Sequence, residues 1–184
     1  MKRKNLTLIE VLGVVALIVI LLTIAIGAYT YASDSAKEKA TKATITRVAN
    51  ALREIQDKGL LKKTTAGTDS TNGFVTINFD ADNKKIKLGN TELPDEAFKI
   101  FAKAVDADSI DSILDENKMI ADGWGQKILV CFPGKFNRGN FDIISAGSDG
   151  VFADSNSDTV PPKNIANYKD SDGELTCDDI SNFF

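Results

Sequence analysis

Histidine is absent from the sequence, and cysteine occurs only twice in 184 residues. The lack of histidine excludes imidazole-based acid–base catalysis, Ser-His and Cys-His nucleophile pairs, and zinc sites that need an imidazole ligand. Two cysteines are too few for a four-thiolate metal site. The composition therefore predicts a protein that is not an enzyme.

Clusters of positive charge are also missing after the first four residues. The chain has 22 lysine and arginine residues against 26 aspartate and glutamate residues, which gives a net charge of −4. Because contacts between basic side chains and phosphates supply most of the affinity for nucleic acids, we do not expect this chain to bind them.

Charge is almost absent from a long apolar run near the start of the chain. This run extends over 23 residues from Leu6 to Ala28, with Glu10 as its one charged side chain. At ~1.5 Å per residue, a helix of this length crosses the ~30 Å hydrocarbon core of a bilayer. Basic residues at positions 2–4 predict a cytoplasmic N-terminus and a C-terminal domain across the membrane. The alternative is a cleaved secretory signal peptide, although such peptides usually have a shorter apolar region.

Glu10 does not fit a plain membrane anchor. A carboxylate within hydrocarbon is costly unless it is paired, so an acidic residue in such a segment indicates a function. In the alternative interpretation, Glu10 lies at the level of the lipid headgroups beside Lys4 and costs little.

The order of these features resembles the N-terminus of type IV pilins and pseudopilins: a basic leader, the segment Leu6-Thr7-Leu8-Ile9-Glu10, and an apolar helix. The resemblance implies that a prepilin peptidase cuts between Asn5 and Leu6 and that the new N-terminal residue is methylated. It makes Glu10 the fifth mature residue, whose carboxylate pairs with the N-terminal amine of a neighbouring subunit. The family normally has glycine before the cut and most often phenylalanine after it, where this chain has Asn5 and Leu6.

An amphipathic pattern continues the apolar run. Proline does not occur before Pro94, so nothing interrupts a helix from Leu6 to Lys58, and Gly59 is a natural end. Apolar residues at spacings of three to five predict the helix face that packs on a domain. These residues are Ala36, Ala40, Ala43, Ile45, Val48, Leu52 and Ile55.

The rest of the chain predicts a small α+β domain. Apolar runs bounded by turn residues predict strands, and proline and serine at helix starts predict helices. The predicted elements are strands at 74–79, 85–88, 128–132 and 140–145, and helices at Pro94–Ala104 and Ser109–Glu116. Residues 137–139 predict a hairpin turn. The sequence after Ser145 is rich in Asp, Ser, Asn and Gly and predicts a long C-terminal loop.

The second half of this domain is similar to the major pseudopilins of type II secretion systems. The similar segments are Ala121-Asp122-Gly123-Trp124-Gly125-Gln126, Ser145-Ala146-Gly147-Ser148-Asp149-Gly150 and the closing Asp178-Asp179-Ile180-Ser181-Asn182-Phe183. In that family a calcium ion holds the C-terminal loop. The resemblance implies that Asp149, together with one or both of Asp178 and Asp179, binds calcium here.

The loop before this end is itself rich in oxygen ligands. Asp154, Asn156 and Asp158 have the alternate spacing that directs the side chains of a tight loop to one cation. Asp170 and Asp172 resemble half of an EF-hand loop. Hard oxygen donors without histidine or thiolate favour calcium over zinc. The alternative is a solvated acidic loop.

Cys131 and Cys177 are the two cysteines of a domain predicted to be exported. In such a domain two cysteines most simply form a disulfide, which would contribute ~4 kcal/mol by constraining the unfolded chain. The alternative is two free thiols.

These observations predict an α+β, pilin-like fold with a long N-terminal helix, half transmembrane and half amphipathic, packed on a small antiparallel β-sheet domain with short helices. The predicted parts are a leader peptide (1–5), a transmembrane or filament-core helix (6–29), its amphipathic continuation (30–59) and a globular head (60–184).

The predicted function is that of a structural subunit of a type II secretion pseudopilus, with no catalytic residue. Its predicted partners are further copies of itself, a prepilin peptidase, the membrane before assembly and the inner-membrane assembly machinery. It is expected in the inner (cytoplasmic) membrane as a single-pass protein, and after assembly in a periplasmic or extracellular filament. The alternatives are a type IV pilus pilin for adhesion or motility, and a non-polymerising membrane-anchored calcium-binding domain.

Overall fold

The structure is a computed structural model of the chain, and it describes residues 8–61, 73–105, 110, 112–152, 161 and 177–183. The leader peptide and most of the long C-terminal loop lie outside these residues. The elements in chain order are α1 (Leu8–Asp57), β1 (Val75–Asp80), β2 (Lys85–Leu88), β3 (Thr91–Glu92), α2 (Asp95–Val105), β4 (Leu129–Cys131), β5 (Asp142–Ser145) and β6 (Ile180–Ser181).

The chain divides into two compact units, Met1–Ala36 and Lys37–Phe184, and helix α1 contributes to both. In the first unit, the described residues belong to α1 alone. The second unit, called the head below, combines the rest of α1 with α2 and the sheet. The predicted α+β arrangement, in which a long N-terminal helix packs on a small antiparallel sheet, is confirmed.

The sheet of the head has the order β3-β2-β1-β4-β5-β6, and each neighbouring pair is antiparallel. The four strands and the first short helix predicted from the sequence correspond to β1, β2, β4, β5 and α2. The two edge strands, β3 and β6, have two residues each and were not predicted. A pair of residues is too short to show the period-two alternation that identifies a strand.

One face of the sheet packs against α1 and α2 to form the main core. Alternate residues of β1 point into it, because side chains of a strand alternate between the two faces. The buried residues of α1 are Thr41, Thr44, Ile45, Val48, Ala51, Leu52 and Ile55. The predicted packing face of α1 is therefore confirmed from Ile45 onwards.

The same prediction is wrong for the first part of that face. The three alanines assigned to it are exposed: Ala36, Ala40 and Ala43. The buried stripe instead begins with Thr41 and Thr44. A pattern based on hydrophobicity does not select threonine for a core, but the Thr41 hydroxyl is hydrogen bonded and can therefore be buried at low cost.

The helix predicted from Ser109 to Glu116 is wrong in type and length. Among the described residues of this stretch, Ile110, Ser112 and Ile113 form a 3₁₀ turn, and Ser109 itself lies outside the described residues. Leu114 already forms a β-bridge with Ile120. The side chain of Asp115 accepts hydrogen bonds from two backbone N–H groups of the following turn, both at 2.8 Å. This side-chain turn competes with helical hydrogen bonding and ends the segment early.

A second, smaller core covers the other face of β4 and β5. It consists of buried Phe74, Leu129, Cys131, Ile144, Ala146 and Phe152, with Phe136, Cys177 and Phe183 packed against it. Strands β4 and β5 are thus buried on both faces, which explains why β4 is continuously apolar and why Ile143 and Ile144 are adjacent in β5. The polar ends of β5, Asp142 and Ser145, are buried as well.

Candidate functional site

The first candidate surface is the stretch of α1 from Leu8 to Ala28, called the apolar segment below. Its large aliphatic side chains are 47% exposed at Ile18 and up to 81% exposed at Leu8. The hydroxyl of Thr23 donates to the carbonyl oxygen of Ile20 at 2.7 Å, so this polar group is satisfied within the helix. In the part of the chain that the structure describes, α1 is long and apolar enough to cross a membrane.

Glu10 lies in the first turn of α1, and its side chain is exposed. The partial positive charge at a helix N-terminus favours a carboxylate in this position. The predicted cleavage and methylation residues, Asn5 and Leu6, lie outside the described residues. The structure therefore places the predicted assembly residue on the helix and leaves the processing site as a prediction.

The second candidate site is the turn at residues 147–150, which Asp178 holds from the C-terminal end of the chain. One carboxylate oxygen of Asp178, Oδ2, accepts hydrogen bonds from the backbone N–H and the hydroxyl of Ser148, both at 2.6 Å. It also accepts one from the backbone N–H of Asp149 at 3.2 Å. Asp149 in turn accepts a bond from the N–H of Val151 at 2.8 Å. Residues 147–150 and Asp178 are therefore held together by hydrogen bonds, and we call this group of residues the C-terminal turn.

Gly147 makes this close approach possible. Its φ of +68° lies in the left-handed region, and a Cβ there would clash with the carbonyl oxygen of Asp178. Such a contact with backbone is prohibitive, so a larger residue at position 147 would displace Asp178 from the turn.

The structure brings two of the predicted calcium ligands, Asp149 and Asp178, together. The third described one, Asp179, is the next residue along the chain and is buried. The other five lie outside the described residues: Asp154, Asn156, Asp158, Asp170 and Asp172. Among the described residues, no group of three or more acidic, histidine or cysteine side chains is placed to hold a metal ion. The carboxylates of the C-terminal turn fit calcium by donor type, and further oxygen ligands would have to come from other residues.

A buried polar network joins this part of the head to α1. Asp122 accepts hydrogen bonds at Oδ1 from the backbone N–H groups of Trp124, at 2.9 Å, and Gln126, at 2.8 Å. At Oδ2 it accepts a bond from the hydroxyl of Ser145 at 2.5 Å, and the N–H of Gly147 donates to that same hydroxyl at 3.2 Å. Asp122 is 9% exposed, so its carboxylate is buried, and both of its oxygens accept hydrogen bonds.

The network reaches α1 through Gly123 and Thr41. The backbone N–H of Gly123 donates to the Thr41 hydroxyl at 2.9 Å, and this hydroxyl donates to the carbonyl oxygen of Lys37 at 2.9 Å. A Cβ at position 123 would lie 2.6 Å from the Lys37 oxygen. The Gly123 loop is thus in direct contact with the helix backbone, which a side chain would prevent.

A second buried carboxylate, that of Asp142, shapes the loop between β4 and β5. It accepts hydrogen bonds from three backbone N–H groups, those of Lys135 (2.6 Å), Phe136 (2.8 Å) and Asn137 (2.8 Å). The loop contains the predicted turn, in which the N–H of Asn140 donates to the carbonyl oxygen of Asn137 at 3.0 Å. One buried carboxylate thus orders a segment that has no regular secondary structure.

Sequence reasoning did not assign a role to Asp122, Asp142, Thr41 or Ser145. A partial signal exists for Asp122, because an aspartate followed by glycine favours turns in which the carboxylate accepts backbone N–H bonds. No comparable signal exists for Thr41, whose partner is 82 positions away along the chain.

The disulfide predicted between Cys131 and Cys177 is not formed, and both thiols are free. Both cysteines contact the smaller core, but the Cys131 sulfur is directed towards the carbonyl oxygen of Pro133 at 3.4 Å. Burial raises the pKa of Cys131, and burial also raises the pKa of Cys177 from its ordinary 9.0 to about 11. The two residues therefore act here as small apolar side chains that resist ionisation.

Comparisons with protein-family models, with characterised proteins and with solved structures gave no significant match to the chain.

Proposed function

We propose that this protein is a structural subunit of a pilin-like filament, of the type II secretion pseudopilus kind. The observation that carries the proposal is helix α1. Without a break, one helix provides an apolar segment exposed on all sides and then, from Thr41 to Ile55, part of the core of an α+β head. A helix that is apolar all round needs lipid or other helices around it, and a filament core and a membrane can each supply this.

The assembly step would depend on Glu10. In this proposal, a prepilin peptidase removes residues 1–5 and leaves a methylated amine on Leu6. The Glu10 carboxylate of one subunit then pairs with that amine on its neighbour, so that neither charge is left alone among apolar side chains. Before this step the apolar segment would hold the protein in the inner membrane, with the head outside the cytoplasm.

The proposal includes calcium as a stabiliser of the head. Asp149 and Asp178 would contribute carboxylate oxygens, with Asp179 and the acidic residues of the long loop as further candidates. A bound calcium ion would supply a cross-link between the C-terminal end and the rest of the head. The protein's own contribution is the C-terminal turn, which already holds Asp178 against the backbone of residues 148 and 149.

The test is the mass of the N-terminal peptide after co-expression with an active prepilin peptidase. The expected product begins at a methylated Leu6, and a catalytically inactive peptidase should leave Met1 in place. A chain that still begins at Met1 beside the active peptidase, with a second prepilin processed in the same cells, would contradict the proposal. The non-polymerising anchored domain would then be the better explanation.

A further inference from the structure

Two tyrosines follow the apolar segment directly. Tyr29 is 75% exposed and Tyr31 is 80% exposed. They stand after the last aliphatic residues of the segment and before Asp34, the first charged residue beyond it. Each carries a large apolar ring with a polar hydroxyl at its tip. Such side chains concentrate at the boundary between lipid headgroups and hydrocarbon, where both parts find a suitable environment.

The two rings leave the helix on opposite sides. At 3.6 residues per turn, positions two apart differ by roughly 200° around the helix axis. One neighbouring helix can therefore not cover both rings, whereas the interface of a bilayer surrounds the helix on every side. Of the possible occupants, a phospholipid interface fits this arrangement best.

The spacing along α1 connects these rings to Glu10. Tyr29 is 19 positions after Glu10 in the same continuous helix. At ~1.5 Å per residue this is about 28 Å, close to the ~30 Å thickness of the hydrocarbon core. When Tyr29 and Tyr31 are at one interface, Glu10 is consequently at the other.

We propose that Tyr29 and Tyr31 form an aromatic belt that fixes the depth of α1 in a phospholipid bilayer and thereby keeps the Glu10 carboxylate at the opposite headgroup boundary. The inference rests on the membrane-spanning part of the proposed function and is independent of whether the protein polymerises. It explains how an acidic residue within the apolar segment is tolerated before assembly, since at the boundary the carboxyl group retains contact with water and headgroups.

The experiment measures depth by tryptophan fluorescence in the full-length chain, reconstituted in phosphatidylcholine–phosphatidylglycerol vesicles. Trp124, the one native tryptophan, is replaced by Phe. Single tryptophans are then introduced as Tyr29→Trp, Tyr31→Trp and, as the deep control, Ile18→Trp. Lipids brominated near the headgroup or near the chain ends act as quenchers. The urea unfolding transition of each variant verifies that the head is folded; if Trp124→Phe prevents folding, Trp124 is kept and its quenching in the wild-type chain is subtracted.

The expected result is at least about twofold stronger quenching by the shallow than by the deep bromines at both positions 29 and 31, because aromatic belts lie at the headgroup level. The order should be reversed for Ile18→Trp. In the Tyr29→Leu/Tyr31→Leu double variant, an Ile9→Trp probe should move from shallow towards deep quenching, because the helix has lost its fixed depth.

Three results would overturn the inference in distinguishable ways. Iodide, a quencher dissolved in the water, detects tryptophans outside the bilayer. Deep quenching at position 18 together with iodide quenching at positions 29 and 31 would mean that the helix spans the bilayer but that the two rings do not lie at its interface. Shallow quenching at only one of the two positions would show that another helix covers the other ring. Absence of lipid quenching at position 18 would mean that the segment does not enter the bilayer, and then the membrane part of the proposed function would fail as well.

Discussion

At the scale of single residues, the buried polar groups of the head show which side chains determine its shape. Thr41 illustrates this, because its hydroxyl accepts the N–H of Gly123 and donates to the carbonyl of Lys37. The same side chain thus joins a loop to a helix and satisfies a part-buried backbone N–H that would otherwise lack this partner.

We expect Thr41→Val to lower the free energy of unfolding of the head by about 1–3 kcal/mol, because valine keeps the shape but leaves the Gly123 N–H unsatisfied. Thr41→Ser keeps the hydroxyl and is the matched control. Urea unfolding followed by far-UV circular dichroism measures both. Equal stability of the two variants would show that packing, and not the hydrogen bond, is what matters at this position.

A second residue-scale prediction concerns Cys177, whose pKa burial raises from 9.0 to about 11. Because the folded state holds the thiol neutral, ionisation is easier in the unfolded chain. The contribution to stability is therefore complete below pH 9 and is lost as the pH rises from 9 to about 11. Cys177→Ser should remove this part of the alkaline decrease in the urea midpoint.

Alkylation gives an independent measurement of the same group. At neutral pH, a pKa of about 11 in place of 9.0 lowers the thiolate fraction on the order of a hundredfold. Iodoacetamide should therefore modify the peptide that contains Cys177 much faster in urea than in the folded protein, as quantified by mass spectrometry. A folded-state rate equal to the urea rate would contradict the raised pKa.

At the scale of elements, the C-terminal turn is the part of the head where a cation would act. Asp178 holds residues 148 and 149 through its Oδ2 atom, and Asp149 lies beside it. If calcium binds here, it binds the folded state only, and a hundredfold excess over the dissociation constant would add ~2.7 kcal/mol to the free energy of unfolding.

We expect millimolar calcium to raise the melting temperature of the wild-type head and to have little effect on Asp149→Asn or Asp178→Asn. Glu116→Gln is the matched control, since it removes the same charge from an exposed position away from the turn. Magnesium distinguishes specific binding from screening. An equal calcium effect in the wild type and both Asn variants would place the ion elsewhere, and no effect at all would remove calcium from the proposal.

The helices and strands of the head also show which elements a sequence pattern can predict and which it cannot. Strands β1, β2, β4 and β5 and helix α2 were predictable because each has a complete apolar pattern or a proline at its start. Strands β3 and β6 depend on pairing with neighbours rather than on a pattern of their own. The helix at residues 109–116 was predicted from Ser109 as its start, but only a 3₁₀ turn forms there, because the Asp115 side chain provides the backbone with an alternative set of hydrogen bonds.

At the scale of the whole molecule, the apolar segment and Glu10 could be predicted because both are local in sequence. The contact between Asp149 and Asp178 was suggested only by resemblance, since no spacing rule relates residues 29 positions apart. The Asp122 network could not be predicted for the same reason, as its members come from α1, a loop and β5. The disulfide was predicted from the number of cysteines and the predicted export of the domain, and neither reports the direction in which each sulfur points.

The last prediction concerns filament assembly and is tested by substitutions of Glu10. If Glu10 neutralises the amine of a neighbouring subunit, Glu10→Gln keeps size and hydrogen bonding but leaves that amine unpaired in apolar surroundings. Breaking such a pair costs about 3–5 kcal/mol, so filament yield should fall by about a hundredfold or more. Glu10→Asp retains the charge at a shorter reach and should assemble in intermediate amounts.

Filaments are quantified by shearing, sedimentation and electron microscopy from cells that contain the assembly machinery. Peptide mass and urea unfolding verify that each variant is processed and folded, so that a loss of filaments reports assembly alone. Glu10→Gln also separates the two uses of the apolar segment, because removing the charge should not weaken membrane insertion. Wild-type filament yield from processed, folded Glu10→Gln would show that the segment acts as an anchor and that Glu10 has no part in polymerisation.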